Sequence, residues 1–522
     1  MKNIQREHDP HVEILDTTLR DGEQTPGVAF SPGEKLELAR LLLTRLRVDR
    51  IEIASARVSA GDEEAVRSIL RWAQRRGLVH QVEILGFIDN HRTADWVRGV
   101  GGEAVNLLAK ASEEHCRVQL RKTPARHFDE LAREVDYIHA QGLRCNVYLE
   151  DWSNGMRHSL DYVYRLLSRL RELPVERVML CDTLGIFDPV ETARSLEWMM
   201  AAFPAMRFDF HGHNDYGLVT ANSLAAVRAG VSGIHTTING LGERAGNQNL
   251  ALLAVAVNDH TDRRVRIAER ELQHASDLVQ SISGKRLAWN APVVGSDVYT
   301  QTCGVHADGD RKGGLYMNEL RPERFGRRRD YALGKLSGKA SLEQKIGDPA
   351  LELDPDLAPE VRERVLAEVI RLGDKKKTVT GADLPFIVAG VLGTPVAARV
   401  KILGVEAVSD LHAAPRAHVK VLIDGQPVEA SATGDGSYDA FVKALRRCLR
   451  PFRLAMLKLL DYEVRIPPGG RTDALVETTI TWAIGGGRTL ITSGIDSDQL
   501  VAAVRATEKM LNLIHTRPEG EK

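Results

Sequence analysis

The sequence predicts an α/β fold: a (β/α)8 TIM barrel, a helical connector, and a C-terminal α+β domain built of two βββα repeats. Three observations carry that reading. Between Val12 and about His260, short apolar runs with strand periodicity alternate with stretches whose apolar residues recur at three- and four-residue spacing. No GxGxxG fingerprint follows the first strand, which disfavours the alternative of a doubly wound dinucleotide-binding sheet. After Ala398, three strand patterns and a helix pattern occur twice in succession.

In order, the barrel strands read VEILDTT, RIEIAS, VEILGF, EAVNLLA, RCNVYLE, ERVMLCD, MRFDFHG and SGIHTTING. Amphipathic patterns such as GEKLELARLLLTRL, AREVDYIHAQG and VETARSLEWMMAAF lie between them. The barrel is expected over residues 1–286 and the connector over 287–397. Two helical patterns of the connector flank KKKTVTGAD, whose lysines fit a solvated turn. Residues 398–522 form the repeat domain. RVKILGVEAVS, AHVKVLIDG and PVEASATG precede the helix SYDAFVKALRRCLRPF; DYEVRIPP, LVETTITWAI and RTLITSGID precede DSDQLVAAVRATEKMLNLI. Each helix has one apolar face, so both are expected to pack on a layer of strands.

Composition excludes several function classes. A net charge of −1 over 522 residues offers no wholesale attraction to nucleic acid or anionic membrane. The five cysteines are widely spaced without a CxxC pair, against a zinc ribbon or disulfide framework and in keeping with a reducing cytosol. No apolar run reaches membrane-spanning length, and MKNIQREHDP lacks a signal-peptide core. A cytoplasmic protein is expected.

The chemistry starts from HGHND. Alternate residues of a strand share a face, so His211 and His213 aim one way at the end of strand seven. Alone they could be polar rim residues. Chemistry in such barrels gathers at the C-terminal strand ends, and strands seven, eight and one become neighbours on closure. Asp21 after strand one and Asn247 after strand eight therefore converge with the two histidines. A carboxylate, two imidazoles and an amide oxygen suit Mn²⁺, Zn²⁺, Co²⁺ or Mg²⁺.

LDTTLRDGEQ, HGHND and NGLGERAGN, in that order, resemble the acyl-CoA-condensing DRE-TIM barrel enzymes: the 2-isopropylmalate, citramalate and homocitrate synthases, with 3-hydroxy-3-methylglutaryl-CoA lyase more distant. IEIASARVS, NVYLEDWSNG, PERFGR, YALGK and DYEVRIPPGG extend the similarity toward the bacterial citramalate synthase branch. The resemblance implies condensation of acetyl-CoA with an α-keto acid, followed by thioester hydrolysis. Arg20 would stabilise the oxygen that becomes an alkoxide, or else simply pair with Asp21 or Glu23. Thr183 would hold the substrate carboxylate, or serve as a cap. Glu150, sharing Tyr148's parity on strand five, is the candidate base toward acetyl-CoA.

The resemblance also sends GVHADGDRKGGLYMN to the partner's active site in a homodimer, with His306 and Tyr316 assisting the acyl-CoA half and Asp308 and Leu315 nearby. Glycine and lysine make this segment read as a loop. Gly314 stands where close relatives are expected to carry Asn. Leu85, Leu108 and Tyr148 would line the keto-acid pocket; two leucines and a tyrosine fill volume and favour pyruvate over 2-oxoisovalerate, unless they are merely core. In the repeat domain, Tyr438, Asp439, Leu459, Tyr462, Ile466 and Val476 would frame an effector site, with GDGSYD and IPPGGRTD as approach loops; isoleucine is the expected ligand, or leucine for a 2-isopropylmalate enzyme. A catalytically silent amino acid sensor is the reading from a different class.

Overall fold

Eight parallel strands close the barrel in sequence order: β1 (Glu13–Asp16), β2 (Arg50–Ser55), β3 (Val82–Gly86), β4 (Ala104–Lys110), β5 (Arg144–Glu150), β6 (Arg177–Asp182), β7 (Phe208–Gly212) and β8 (Gly233–Thr236). β8 pairs back onto β1, with His235 opposite Leu15. The helices around them are α1 (Pro32–Arg40), α2 (Ala60–Arg76), α3 (Arg92–Val100), α4 (Pro124–Ala140), α5 (Trp152–His158), α6 (Leu160–Leu170), α7 (Pro189–Ala202), α8 (Val219–Ala229), α9 (Leu250–His260) and α10 (Leu272–Ser283). This computed structural model describes residues 11–347, 351, 353–374, 379, 383–392, 398–466, 476–485 and 488–515. KKKTVTGAD, IPPGGRTD and the Gly485–Gly487 turn fall largely outside them. Two units divide the chain: Met1–Tyr299 with Asn318–Arg328, and Thr300–Met317 with Arg329–Lys522.

Local chemistry explains where the barrel helices begin. Ser31 and Glu34 form a reciprocal capping box at α1, and Thr123-Pro124 and Asp188-Pro189 place a capping oxygen before a proline at α4 and α7. Strand alternation then divides the side chains. Ile14, Ile53, Ile84, Leu107, Val147, Leu180, Phe210 and Ile234 join the large core beneath the helices. Their neighbours point into the barrel.

The barrel interior has two fillings. Near the strand N-termini, Arg50 donates to Glu83 Oε1 (2.9 Å), Asp209 Oδ2 (2.5 Å) and Glu13 Oε2 (3.2 Å), and Arg177 donates to Asp209 Oδ1 (3.1 Å). Burial acts to raise the Asp209 carboxyl, but the two guanidiniums hold it well below the usual range. Branched apolar layers are the common filling of such barrels; here mutually paired charges replace them. Toward the C-terminal end, Leu15, Leu85, Tyr148, Met179 and Cys181 form a separate apolar cluster with Leu108 packed against it.

The second unit begins with β9 (Thr300–Gln301), which pairs in parallel with β10 (Asp330–Tyr331), and with helices α11 (Gly304–Arg311), α12 (Lys339–Ile346), α13 (Pro359–Asp374) and α14 (Leu384–Leu392). The loop expected at GVHADGDR is instead α11. Gly309 lets the Tyr316 ring lie against this helix, since a Cβ there would stand 2.5 Å from Tyr316 Cε2, and Arg329 anchors Asp310 at 2.9 Å.

The two repeats follow as antiparallel meanders, each backed by a helix: β11 (Val400–Val408), β12 (Arg416–Ile423), β13 (Gln426–Thr433) and α15 (Ser437–Leu449), then β14 (Lys458–Arg465), β15 (Val476–Gly485), β16 (Arg488–Asp496) and α16 (Gln499–Ile514). They share one core, in which Val419, Phe441 and Leu445 meet Ile480, Trp482 and Met510. α16 also serves the edge strand of the first repeat. Glu508 Oε2 accepts from Ile402 N (2.6 Å), and Asn512 exchanges two hydrogen bonds with the Val400 backbone (3.0 and 2.8 Å). Among the described residues no helix is long and apolar enough to cross a membrane, and all five cysteines are free thiols.

Candidate metal centre and active site

The loops at the C-terminal mouth are built by their own backbones. After β1 the chain turns tightly, with the Arg20, Asp21 and Gly22 amides all donating to Thr17 O (3.1, 2.8 and 3.1 Å). His213, just past β7, forms an isolated bridge with Asn247. The preceding Gly246 has φ +86°, and a Cβ there would lie 2.0 Å from Gly240 O, so only glycine fits. Arg244 clamps the mouth, donating to both Asp215 carboxylate oxygens (2.7 and 3.0 Å) and to Thr183 O (2.7 Å). The loops after β6, β7 and β8 are thus tied together.

Asp21, His211 and His213 offer donor atoms that all lie within 4.8 Å of one another, and all three are buried. His211 Nε2 stands 3.3 Å from both His213 Nε2 and Asp21 Oδ2. Burial pushes the His211 imidazole well below its usual range, helped by the charges of His213, His235 and Arg20; burial likewise lowers His213 against the opposing pull of Asp21. Neutral imidazoles whose lone pairs face each other and a carboxylate are stable only around a proton or a cation. Asn247 lies beside them, its amide oxygen and nitrogen both buried without a hydrogen-bond partner. This electron-rich, unsatisfied set fits a divalent metal ion.

Arg20 sits between this cluster and the apolar one. It donates through Nε to Glu52 Oε2 (2.5 Å) and through Nη2 to Tyr148 Oη (3.4 Å), and Nη1 lies 3.4 Å from Asp21 Oδ1. Burial alone would ease its proton off, but Asp21 and Glu52 hold the guanidinium firmly charged. Leu85 and Leu108 both belong to the apolar cluster, alongside Tyr148. Glu150, at the rim, pairs with Lys110 of β4. The half-buried Thr183 accepts the Asp151 N–H through Oγ1 (2.8 Å), leaving its own hydroxyl hydrogen to donate. Glu52, Lys110 and His235 were not singled out from the sequence. An inward-facing carboxylate between Ile51 and Ile53 was the available signal for Glu52.

Comparison with known proteins gives the family. The HMGL-like family model matches residues 11–279, more than half the chain. The chain belongs to the HMGL-like family. A LeuA allosteric (dimerisation) domain matches residues 378–515. Among relatives in this family, a Methanopyrus kandleri protein provisionally named (R)-citramalate synthase CimA is 33% identical over 514 residues, 96% of each chain. The Methanocaldococcus jannaschii (R)-citramalate synthase CimA is 31% identical, covering 96% of this chain and 99% of its own, and the 2-isopropylmalate synthase of the same organism is 30% identical, covering 97% and 95%. The chain is thus a DRE-TIM barrel joined to a LeuA domain, as the three motifs indicated.

In the second unit of this HMGL-like protein, His306 on α11 stacks on Tyr316, with ring centroids 4.2 Å apart. Both side chains and Leu315 are exposed, and Asp308 holds Lys312 at 2.6 Å. Gly314 has φ +70°, a region that glycine and asparagine share. In the LeuA domain a bulge between Leu459 and Asp461 puts Leu459 and Tyr462 opposite Trp482 and Ile480, on one face despite their three-residue spacing. Val476 has the parity of that face on β15. Tyr462 meets Tyr438 at 5.0 Å, whose hydroxyl reaches Thr507 of α16 (2.8 Å). Asp439 turns outward to Lys443 (2.6 Å), and Ile466 beyond β14 is 63% exposed. Tyr438 and Tyr462 are thus in contact, whereas Asp439 and Ile466 lie at the exposed margin.

Proposed function

We propose that this chain catalyses a divalent-metal-dependent Claisen-type condensation of acetyl-CoA and water with pyruvate, giving (R)-citramalate and CoA. Asp21, His211, His213 and Asn247 would hold the ion, which supplies Lewis acidity toward the keto acid's carbonyl; Mn²⁺, Zn²⁺, Co²⁺ and Mg²⁺ all suit these donors. The Thr183 hydroxyl donates to the substrate carboxylate. Glu150, oriented by Lys110, removes a proton from the acetyl methyl group. The methyl carbon then bonds to the keto carbon, and the electron pair of the carbonyl moves onto its oxygen. Arg20, fixed by Glu52, meets that developing charge with preorganised N–H donors. Protonation gives the tertiary alcohol, and water cleaves the thioester to release the CoA thiol. His306 and Tyr316, supplied by the partner subunit of a homodimer, assist the acetyl-CoA half. The LeuA domain supports dimerisation and feedback by isoleucine.

The observation that carries the choice of pyruvate is the packed apolar cluster of Leu85, Leu108 and Tyr148 beside Arg20. A methyl group needs less of that volume than an isopropyl group, and overfilling excludes more sharply than a methylene adds. A 2-isopropylmalate synthase with leucine feedback is the second reading, favoured by the near-equal identity to both M. jannaschii enzymes. The deciding measurement is CoA thiol release with Mn²⁺ and acetyl-CoA, comparing kcat/KM for pyruvate and 2-oxoisovalerate. A strong pyruvate preference is expected; preference for 2-oxoisovalerate would transfer the enzyme to the second reading.

A further inference from the structure

We infer that His235 is a positioning residue that sets the size of the 2-oxoacid pocket by tethering Tyr148, an inference that rests on the pyruvate reading above. His235 lies inside the barrel on β8 and is 2% exposed. Its Nδ1 stands 3.1 Å from Tyr148 Oη, and its Nε2 stands 3.7 Å from Asp209 Oδ2. Asp209 is the carboxylate shared by Arg50 and Arg177 in the charged filling of the barrel. An anion facing Nε2 favours the hydrogen on that nitrogen, which leaves Nδ1 as an acceptor for the tyrosine hydroxyl.

Tyr148 has two other partners. Glu52 Oε2 also lies within reach of the hydroxyl at 3.3 Å while receiving Arg20 Nε (2.5 Å), and its Oε1 receives Asn106 Nδ2 (2.7 Å). Arg20 Nη2 donates to the hydroxyl oxygen, so the hydroxyl hydrogen faces two acceptors, Glu52 Oε2 at 3.3 Å and His235 Nδ1 at 3.1 Å, of which His235 is the nearer. The consequence is geometric. Tyr148 starts on β5, and the tether draws its far end across the interior to β8, edge-on to His211 (ring centroids 5.8 Å). Held there, the ring stands between the two leucines and the metal-ligand cluster, where the side chain of the keto acid would lie. Asp209, at the opposite end of the barrel from the mouth, thereby influences the shape of the pocket through one imidazole.

The test replaces His235 with Leu, which keeps bulk but accepts no hydrogen bond, and with Gln, which can still accept one. Pyruvate, 2-oxobutanoate and 2-oxoisovalerate are compared by CoA release in the full-length protein, with bound metal measured in parallel. His235→Leu is expected to raise kcat/KM for 2-oxobutanoate relative to pyruvate by about tenfold, the scale of one methylene in an apolar pocket. Bound metal should stay unchanged, pyruvate KM should rise more than kcat falls, and His235→Gln should restore most of the selectivity. A uniform loss with all three acids, the ratio unmoved, overturns the inference. Should His235→Leu fail to fold, Tyr148→Phe removes the same bond from the other side and must shift the ratio in the same direction. A wild-type enzyme without preference overturns the pyruvate reading and this inference together; a selective wild type whose ratio survives His235→Leu overturns the inference alone.

Discussion

Asn247 shows how a single side chain can point to a metal ligand set. A buried amide with both polar atoms unsatisfied costs stability unless something binds it. Asn247→Ala is expected to weaken Mn²⁺ binding by at least the ~10–100-fold that losing an outer-shell partner costs. It should also shrink the rise in Tm that Mn²⁺ gives the wild type, because a ligand stabilises the fold it binds. Equal metal-induced shifts would remove Asn247 from the ligand set. Arg20→Lys keeps a charge but loses the fork that reaches Glu52 and Tyr148 together. Turnover should fall by about 10²–10³-fold while metal binding persists; near-normal turnover would reduce Arg20 to an ion-pair partner. Asp16 carries a pH prediction. Burial pushes its carboxyl up to about 7, against hydrogen bonds from Thr18 and Thr236. Between the usual carboxylate range and pH 7 the folded protein then holds one proton more than the unfolded chain. Stability from this group therefore falls by about 1.4 kcal/mol per pH unit as pH rises through that window. Asp16→Asn should flatten that slope relative to wild type in denaturant titrations at pH 5, 6 and 7; parallel slopes would show that Asp16 titrates normally.

Elements decide which residues can meet, and this is where reading the sequence succeeds and then stops. Strand parity and barrel closure bring Asp21, His211, His213 and Asn247 to one place, because those depend only on alternation and on which strands are neighbours. Cross-strand height is different. That Glu52 of β2 reaches Arg20, or that Lys110 of β4 reaches Glu150 of β5, follows from stagger and side-chain length, which apolar patterning does not encode. The ionic filling around Asp209 escaped for the same reason: each charge looks like a solvated strand end until the others stand opposite it. α11 was misread because Gly309 and Gly304 signal a turn locally, while a tertiary contact with Tyr316 uses the glycine to let a ring close in. The loop after β8 makes an element-scale prediction. Gly246→Ala puts a Cβ against Gly240 O in a backbone region hostile to side chains, so the loop must shift and carry Asn247 with it. Mn²⁺ affinity is expected to drop tenfold or more with the far-ultraviolet circular dichroism unchanged. Retained affinity would mean that the loop tolerates the methyl and that Asn247 is not held by it.

At the scale of the whole molecule, the chain joins a barrel with a candidate metal centre at its mouth to a domain whose two repeats share a single core. That sharing has a physical consequence. α16 bonds the edge strand of the first repeat through Glu508 and Asn512, and the Tyr438 hydroxyl on α15 bonds Thr507 on α16, so a ligand that moves one repeat must move the other. An effector seated against Leu459 and Tyr462 would act on that shared core rather than on one sheet. Leu459 is 37% exposed, so Leu459→Asn alters the candidate surface with little loss of packing. The uninhibited kcat should stay within twofold of wild type, while the isoleucine concentration for half-inhibition rises at least tenfold. Tyr438→Phe keeps the ring on Tyr462 but cuts the hydroxyl link to α16; isoleucine should then bind, by calorimetry, with less inhibition at saturation. Inhibition curves for isoleucine and leucine on the three proteins separate the outcomes. A curve unmoved by Leu459→Asn would put the effector on another face of the domain, and a response to leucine alone would favour the 2-isopropylmalate reading of the barrel.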